Sequence, residues 1–248
     1  MQRVITIFCL LVLLTACANS QQQTTPAPRL VGGPCEGCEA IFEYGNRQLA
    51  AIDTLPGFMD GGTRIKLTGI IYQPDGKTPA SDVILYIYHT DTSGVYPIHG
   101  SETGWAKRHG YLRGWIKTGR DGQYTFYTRR PGQYPNRTDP VHIHATILEP
   151  NGSYYYIADY YFKDDPSLPK KELNKTVVRG GRTHVLSLKP DGNLLVGRRD
   201  IVLGRDIPGH VNANVSASSF QNLNNQADAL PSDKTWIEET LKFRFAFQ

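Results

Sequence analysis

Sulfur is scarce in this chain: its 248 residues include 4 cysteines and 2 methionines. So few thiols exclude a disulfide-dense scaffold and a cysteine-rich zinc module. Charge of one sign is scarce too, since 27 Lys and Arg against 23 Asp and Glu leave a net +4. No basic run is interleaved with aromatics in the manner of a nucleic-acid groove, so no nucleic-acid partner is expected. No internal repeat is evident, which argues against a solenoid or propeller. Long hydrophobic runs are also missing: the apolar stretch from Val4 to Leu14 is too short to span a bilayer as a stable helix.

That stretch follows Arg3 and ends in Leu14-Thr15-Ala16-Cys17, the layout of a secretory signal. The ending resembles the lipobox of bacterial lipoproteins, in which Cys17 is acylated and becomes the first mature residue. Several acyl chains on Cys17 would anchor the protein to a membrane firmly. The expected location is therefore extracytoplasmic and membrane-anchored, and the absence of Asp after Cys17 leans towards the outer membrane of a Gram-negative cell. Residues 1–17 read as the signal and residues 18–34, rich in Gln, Thr and Pro, as a flexible tether. Cys9 leaves with the signal, so Cys35 and Cys38 remain in Cys-Glu-Gly-Cys-Glu. Glu39 stands where a haem attachment site needs histidine, and no thioredoxin-like βαβ unit follows. A local disulfide between Cys35 and Cys38 is the expectation, with a redox pair or a metal site as the alternatives.

Residues 35–210 read as one β domain, long enough for a single sandwich with a real core. Strands are expected at about 64–73, 82–90, 110–117, 122–127, 141–149, 154–160, 184–189 and 194–203, separated by Gly, Pro and Asn turns. Ala40 to Leu55 suits a short helix or an extended arm. Lysine and proline crowd residues 163–175, a surface loop near the site mouth. Residues 211–248 read as a loosely ordered tail. In it Phe243, Phe245 and Phe247 alternate with polar or small residues, which suits an edge strand, packing on the core, or packing on a partner such as a second copy of the chain. Most of the 14 tyrosines are expected to be structural, on amphipathic sheet faces.

The residues that carry chemistry are fewer. Val141-His142-Ile143-His144-Ala145-Thr146 is a β-branched run, and strand period two places both imidazoles on one face, where both can bind one metal. Tyr134, in Pro131-Gly132-Gln133-Tyr134-Pro135, can add a phenolate from the turn just upstream. Tyr96 ends the segment 85–97 in a similar setting. Anionic phenolates favour a hard ferric ion over zinc or copper. Singly, each of the four is more often a turn tyrosine or a satisfied strand histidine. The other histidines, His89, His99, His109, His184 and His210, lack this setting.

The set Tyr96, Tyr134, His142 and His144 resembles that of the intradiol ring-cleavage dioxygenases. The order of motifs from about Leu67 to Pro208 is similar as well: a Gly69–Gly76 opening, the Tyr96 loop, Arg120-Asp121-Gly122-Gln123-Tyr124, Pro-Gly-Gln-Tyr-Pro, His-Ile-His, Tyr161-Phe162 and Arg199-Asp200-Ile201-Val202-Leu203-Gly204. The resemblance implies an all-β sandwich of the intradiol type, with long loops and an N-terminal arm. It implies Fe(III) held by Tyr96, Tyr134, His142 and His144, and a small aromatic diol and O2 as reactants. The ring would open between its two hydroxylated carbons to a muconate-type diacid. Two positions depart from the family. Asp139 stands where an arginine commonly polarises the substrate, three positions before the first ligand histidine, and Asp159 stands where a glutamine precedes the Tyr-Phe strand. Arg137 reaches the space left by that arginine, or pairs with Asp139. Asp159 and Tyr161 are expected to contact substrate.

Two other classes remain open from the sequence. A surface β-sandwich that kept the fold but lost turnover would bind glycans or polyphenols through its aromatic surface. A zinc hydrolase would need Asp139 or Asp159 as its general base, although two phenolates suit zinc poorly.

Overall fold

In the computed structural model, residues 27–181 and 183–211 are described; the signal, Cys17, most of the tether and the phenylalanines of the tail lie outside them. Among the described residues no helix is long and apolar enough to cross a membrane. The strands run β1 (Arg29–Leu30), β2 (Ile52–Thr54), β3 (Arg64–Tyr72), β4 (Ile84–Tyr88), β5 (Arg113–Lys117), β6 (Gln123–Arg129), β7 (His142–Leu148), β8 (Ser153–Tyr156), β9 (Tyr160–Phe162), β10 (Val185–Leu186), β11 (Lys189–Asp191), β12 (Leu194–Arg198) and β13 (Ile201–Val202). Two one-turn helices, α1 (Ala106–His109) and α2 (Lys170–Leu173), sit in loops.

The strands form two sheets. The front sheet runs β1-β8-β7-β4-β5, with β9 also on β7 and β10 on β9; the back sheet runs β11-β12-β3-β6-β2, with β13 on β3. Alternation in the sequence explains the core between them. In β3 every second residue is buried, and Ile65, Leu67 and Ile71 meet Tyr124 and Phe126 of β6 together with Leu85, Ile87, Ile143, Ala145 and Ile147 of the front sheet. Each such apolar side chain contributes about 1.5–3 kcal/mol when fully buried. The fold is thus an all-β sandwich.

The outer face of the front sheet is covered as well. A 3-10 turn at Cys38–Phe42 lays Ala40 and Ile41 against Ile84, Tyr86 and Trp115, and Trp115 Nε1 donates to Ala40 O and Ile41 O at 3.2 and 3.0 Å. Cys35 and Cys38 are joined by a disulfide immediately before it, so the arm is pinned where it crosses the edge of the site. The domain also starts earlier than residue 35. Arg29–Leu30 pairs with β8, and Val31 enters the core at 6% exposure, which shortens the expected tether.

Three expected strands are broken: the 184–189 strand divides into β10 on the front sheet and β11 on the back sheet, because the chain crosses between sheets at 187–188. The 154–160 strand divides into β8 and β9, because Thr146 opposes Tyr156 whereas Ile143 opposes Tyr160. Three steps along β7 therefore match four along its neighbour, which is a β-bulge at Ile157-Ala158-Asp159. Bulges re-aim side chains and gather beside functional sites. The 194–203 strand breaks at Arg199-Asp200, where Asp200 Oδ1 accepts from Ile70 N at 3.0 Å in place of a backbone partner. The Ala40–Leu55 stretch, expected as a short helix or an extended arm, is the end of the 3-10 turn followed by an arm that carries β2.

His89 offers a test of the core. Its Nδ1 donates to Thr90 O and its Nε2 accepts from Thr128 Oγ1, both at 2.7 Å, so the neutral ring is satisfied. It is 1% exposed, and burial pulls its pKa down from 6.5 to about 4. The folded value lies below the unfolded one, so this contribution is whole above pH 6.5 and is lost as pH falls towards 4. Stability should therefore decline by about 1.4 kcal/mol per pH unit across that window on account of this group. His89→Leu should flatten the slope of Tm against pH there, whatever it does to Tm at neutral pH; an unchanged slope refutes the assignment.

Candidate metal centre

Strand β7 supplies the two histidines. Ile143, Ala145 and Ile147 point into the core, so His142, His144 and Thr146 share the opposite, outer face of the front sheet. His144 lies opposite Tyr88 of β4, and His142 opposite Tyr161 of β9.

The tyrosines come from two loops locked together by backbone contacts. Asp91 Oδ1 accepts from Ser93 N at 2.8 Å and from Val95 N at 3.1 Å, which closes the turn ahead of Tyr96. Gly132 N donates to Asp91 O at 2.7 Å, and Thr90 Oγ1 donates to Gly132 O at 2.9 Å. Beyond Tyr134, Gln133 Nε2 donates to Asp139 O and Ser167 Oγ at 3.0 and 2.9 Å. Val141 N donates to Asp165 Oδ2 at 2.6 Å. The Tyr96 loop, the Tyr134 turn and the start of β7 therefore form one hydrogen-bonded unit.

This unit brings Tyr96, Tyr134, His142 and His144 to a single point. The phenol oxygens are 2.5 Å apart, Tyr96 Oη lies 3.0 Å from His144 Nε2, and Tyr134 Oη lies 3.3 Å from the Nε2 of both histidines. The two Nε2 atoms are 3.2 Å apart. Donors sharing one ion at bond lengths of about 2.0–2.1 Å stand at similar separations. Tautomers sharpen the point. His142 Nδ1 faces Pro140 O at 2.7 Å and His144 Nδ1 faces Asp159 Oδ1 at 3.0 Å. Both partners only accept, so both Nδ1 atoms carry the proton and both Nε2 lone pairs converge. Converging lone pairs are a poor hydrogen-bonding arrangement and a good metal site. Two phenol oxygens beside them make the set hard enough for a trivalent ion, so the residues fit ferric iron.

The electrostatics agree. Burial, with the bond to Tyr134 next, pushes the Tyr96 phenol well above its ordinary pKa, and burial also raises that of Tyr134. Burial first, and then the neighbouring His144, push His142 down. A neutral site is thus favoured until a cation arrives, which reverses the preference at both phenols.

Asp159 stands on the opposite edge of His144, delivered there by the bulge. Burial raises its carboxyl, but the charge and hydrogen bond of His144 outweigh this and hold it below its ordinary pKa. One donor atom each from His142, His144 and Asp159 also falls within 4.8 Å. Since Asp159 occupies the Nδ1 edge, it serves as the carboxylate that orients His144 rather than as a fifth donor at the Nε2 point. The other nominated residues are less central. Arg137 Nε donates to Asp139 Oδ2 at 2.6 Å, with the side chains 64% and 42% exposed. The pair sits at the rim, with the guanidinium 5.4 Å from the Tyr134 ring. Tyr161 packs edge-on to His142 at 6.0 Å.

Sequence reasoning missed Tyr88 and His109. The Tyr88 ring stacks between His144 at 4.5 Å and His109 at 3.7 Å, and His109 Nδ1 is bonded to Tyr86 Oη at 2.8 Å. The Tyr88 ring walls the centre with aromatic surface, and its 4.5 Å stack fixes the plane of His144. The alternation Tyr86-Ile87-Tyr88 was a signal for the outer face, but only the register of β4 on β7 puts Tyr88 against His144. A cavity of ≈330 Å³ adjoins the centre, bounded by His144, Asp159, Tyr88, Tyr156 and the Cys35–Gly37 loop. A smaller one of ≈150 Å³ is bounded by Tyr96, Tyr88, His109, Trp105 and the Glu36–Arg108 pair.

The sandwich thus carries two tyrosines and two histidines that converge on the outer face of one sheet, a donor set suited to a metal. Comparison with known proteins narrows the class. The family model Dioxygenase_C, described as "Dioxygenase", matches residues 43–188. The protocatechuate 3,4-dioxygenase beta chain of Burkholderia cepacia is 28% identical over 161 residues, covering 58% of this chain and 66% of that protein. The match therefore spans slightly less than two thirds of that relative's length. Among solved structures, the dioxygenase domain of a dioxygenase carbohydrate-binding protein fusion from Streptomyces sp. SirexAA-E is 24% identical, with a TM-score of 0.47 over 72% of this chain and 97% of its own. An intradiol ring-cleavage dioxygenase from Tetranychus urticae is 21% identical, with a TM-score of 0.47 over 77% and 98%. The chain belongs to the intradiol dioxygenase family, a family of oxidoreductases.

Proposed function

We propose that this protein is a ferric intradiol dioxygenase that opens a catechol-type ring between its two hydroxylated carbons, using O2 and yielding a muconate-type diacid. The observation that carries this reading is the convergence of the lone pairs of His142 Nε2 and His144 Nε2 with Tyr96 Oη and Tyr134 Oη. When bound there, ferric iron supplies the Lewis acidity and the electron-accepting orbital that make a chelated catechol reactive towards O2.

The chain's own part is positional and acid–base. Catechol carries two hydroxyl protons, and an ionised phenol oxygen of the Tyr96–Tyr134 pair is the nearest protein base for one of them. Pro140 O and Asp159 Oδ1 hold the imidazole protons on Nδ1 and keep the rings in plane with the centre. The cavity beside His144 and Tyr88 takes the ring and limits water around it. The test is direct. Full-length protein loaded with ferric iron should show a visible phenolate charge-transfer colour and consume oxygen with a panel of neutral catechols, giving diacid products. No oxygen uptake from protein confirmed to hold ferric iron overturns the reading and leaves the β-sandwich binding module.

The same protein is proposed to be a lipoprotein held outside the cytoplasm through Cys17. Cys17→Ser should move it from the membrane to the soluble fraction. A variant that still sediments with membranes after a salt wash refutes the anchor.

A further inference from the structure

The two cavities at the metal centre share Tyr88 and Glu36, and each touches a different member of the donor set, His144 in the larger and Tyr96 in the smaller. They are two lobes of one cleft on the outer face of the front sheet, roofed by the disulfide loop. A catechol chelated at the centre must direct its ring substituent along this cleft, so the charge of the wall decides which substituents it accepts.

The wall of the larger lobe is acidic. Glu36 and Asp159 line the larger lobe, and no Lys or Arg does so among the described residues. Asp159 is 27% exposed and uses only Oδ1 on His144. Among the described residues no hydrogen bond reaches its Oδ2. The cations nearby do not face this wall: Arg199, whose charge helps hold the Asp159 carboxyl down, is 1% exposed and donates to Ala158 O and Arg179 O at 2.5 and 3.2 Å. Arg108, at the rim of the smaller lobe, is ion-paired with Glu36. Arg179, behind Tyr156, donates to Tyr156 O and Gly32 O at 3.2 and 3.0 Å. Arg137 is held by Asp139. A carboxylated catechol would bring its charge up against Asp159, whose carboxylate no Lys or Arg on this wall neutralises, whereas an ammonium would find an open carboxylate oxygen. Close charge pairs in a partly desolvated cleft are strong enough to discriminate between them.

We propose that the cleft selects catechols whose ring substituent carries an ammonium, with Asp159 Oδ2 as its acceptor, and rejects catechols bearing a carboxylate. This rests on the dioxygenase reading above, and Asp159 then has two duties on its two oxygens: Oδ1 orients His144, and Oδ2 sets specificity.

The test is calorimetric binding under nitrogen, so that no turnover occurs, using full-chain iron-loaded protein and three probes: aminoethyl-catechol, ethylcatechol and dihydroxyphenylacetate. The ammonium probe should bind at least about tenfold more tightly than the carboxylate probe, with the neutral probe between them and the gap narrowing as salt is raised. Asp159→Asn keeps an oxygen for His144 and should shrink the ratio to within about twofold. Glu36→Gln, remote from the donor atoms, frees Arg108 and should improve the carboxylate probe by about threefold while weakening the ammonium probe. Equal or tighter binding of the carboxylate probe to wild-type protein overturns the inference, as does a ratio that neither substitution moves. If no catechol of any charge binds iron-loaded protein, the dioxygenase reading itself has failed.

Discussion

His144→Ala should abolish iron binding and with it both the visible colour and oxygen uptake. His144 is the centre's most connected member: its Nε2 faces Tyr96, Tyr134 and His142, and its Nδ1 faces Asp159. Removing the ring deletes one donor and leaves the half-buried Asp159 carboxylate without its partner. The expected result is iron content near zero by elemental analysis and activity below about a thousandth of wild type, since the polarisation of a catechol is lost with the iron. The fold should survive, because the core side of β7 is Ile143, Ala145 and Ile147. A colourless but cooperatively unfolding variant is therefore the supporting outcome. A variant that retains stoichiometric iron and turns over would refute the donor set.

The two histidines were legible because their placement needs only strand periodicity: His-x-His in an apolar run has one face available for both rings. The tyrosines were legible through the order of family motifs, not from local pattern, since Tyr96 and Tyr134 lie in irregular loops whose convergence depends on contacts such as Gly132 N to Asp91 O. The strands were found within a few residues wherever alternation was strong, as in β3 and β6. They were misjudged where pairing partners changed. The expected 154–160 strand looks continuous because Tyr154-Tyr-Tyr-Ile-Ala-Asp-Tyr160 contains no Gly or Pro, and bulges carry no such mark when a non-glycine residue absorbs the extra step.

Asp159 illustrates what such a slip conceals. Its position before the Tyr-Phe strand placed it at the site, but its role as the partner of His144 Nδ1 follows from the bulge, which reverses the phase of side chains between β8 and β9. The substitution of Asp139 for the family's arginine reads differently in the structure as well. Asp139 and Arg137 neutralise each other at the exposed rim, a pair worth at most about 1 kcal/mol, so the pocket's charge is set by Asp159 instead. Tyr88 and His109 were invisible because cross-strand register and the one-turn helix α1 that carries His109 are tertiary facts.

Gly94→Ala should disable the site as thoroughly as loss of a ligand, by separating the two tyrosines. Gly94 has φ +83°, and a Cβ there would lie 1.7 Å from Gln133 O and 3.1 Å from Tyr134 Cα. The backbone of the Tyr96 loop thus rests directly on the backbone of the Tyr134 turn, with no room for a methyl group. Positive φ alone costs a non-glycine residue about 1–2 kcal/mol, and the overlap with a carbonyl oxygen adds about 1–3 kcal/mol if the loops part to relieve it. Parting is the cheaper response, because the alternative is to distort β7 and its core face. The expected result is a Tm lowered by roughly 5–15 °C and iron affinity reduced by at least about a hundredfold, since a shift of about an ångström misplaces a donor. Gly100→Ala is the control: Gly100 also has positive φ, at +92°, but its Cβ would meet nothing within 4 Å, so it carries the backbone strain without the clash. If the two variants lose iron to the same degree, strain rather than loop contact is responsible and the account of how Tyr96 reaches Tyr134 is wrong. If Gly94→Ala loses it while Gly100→Ala keeps it, close backbone approach is what assembles the centre.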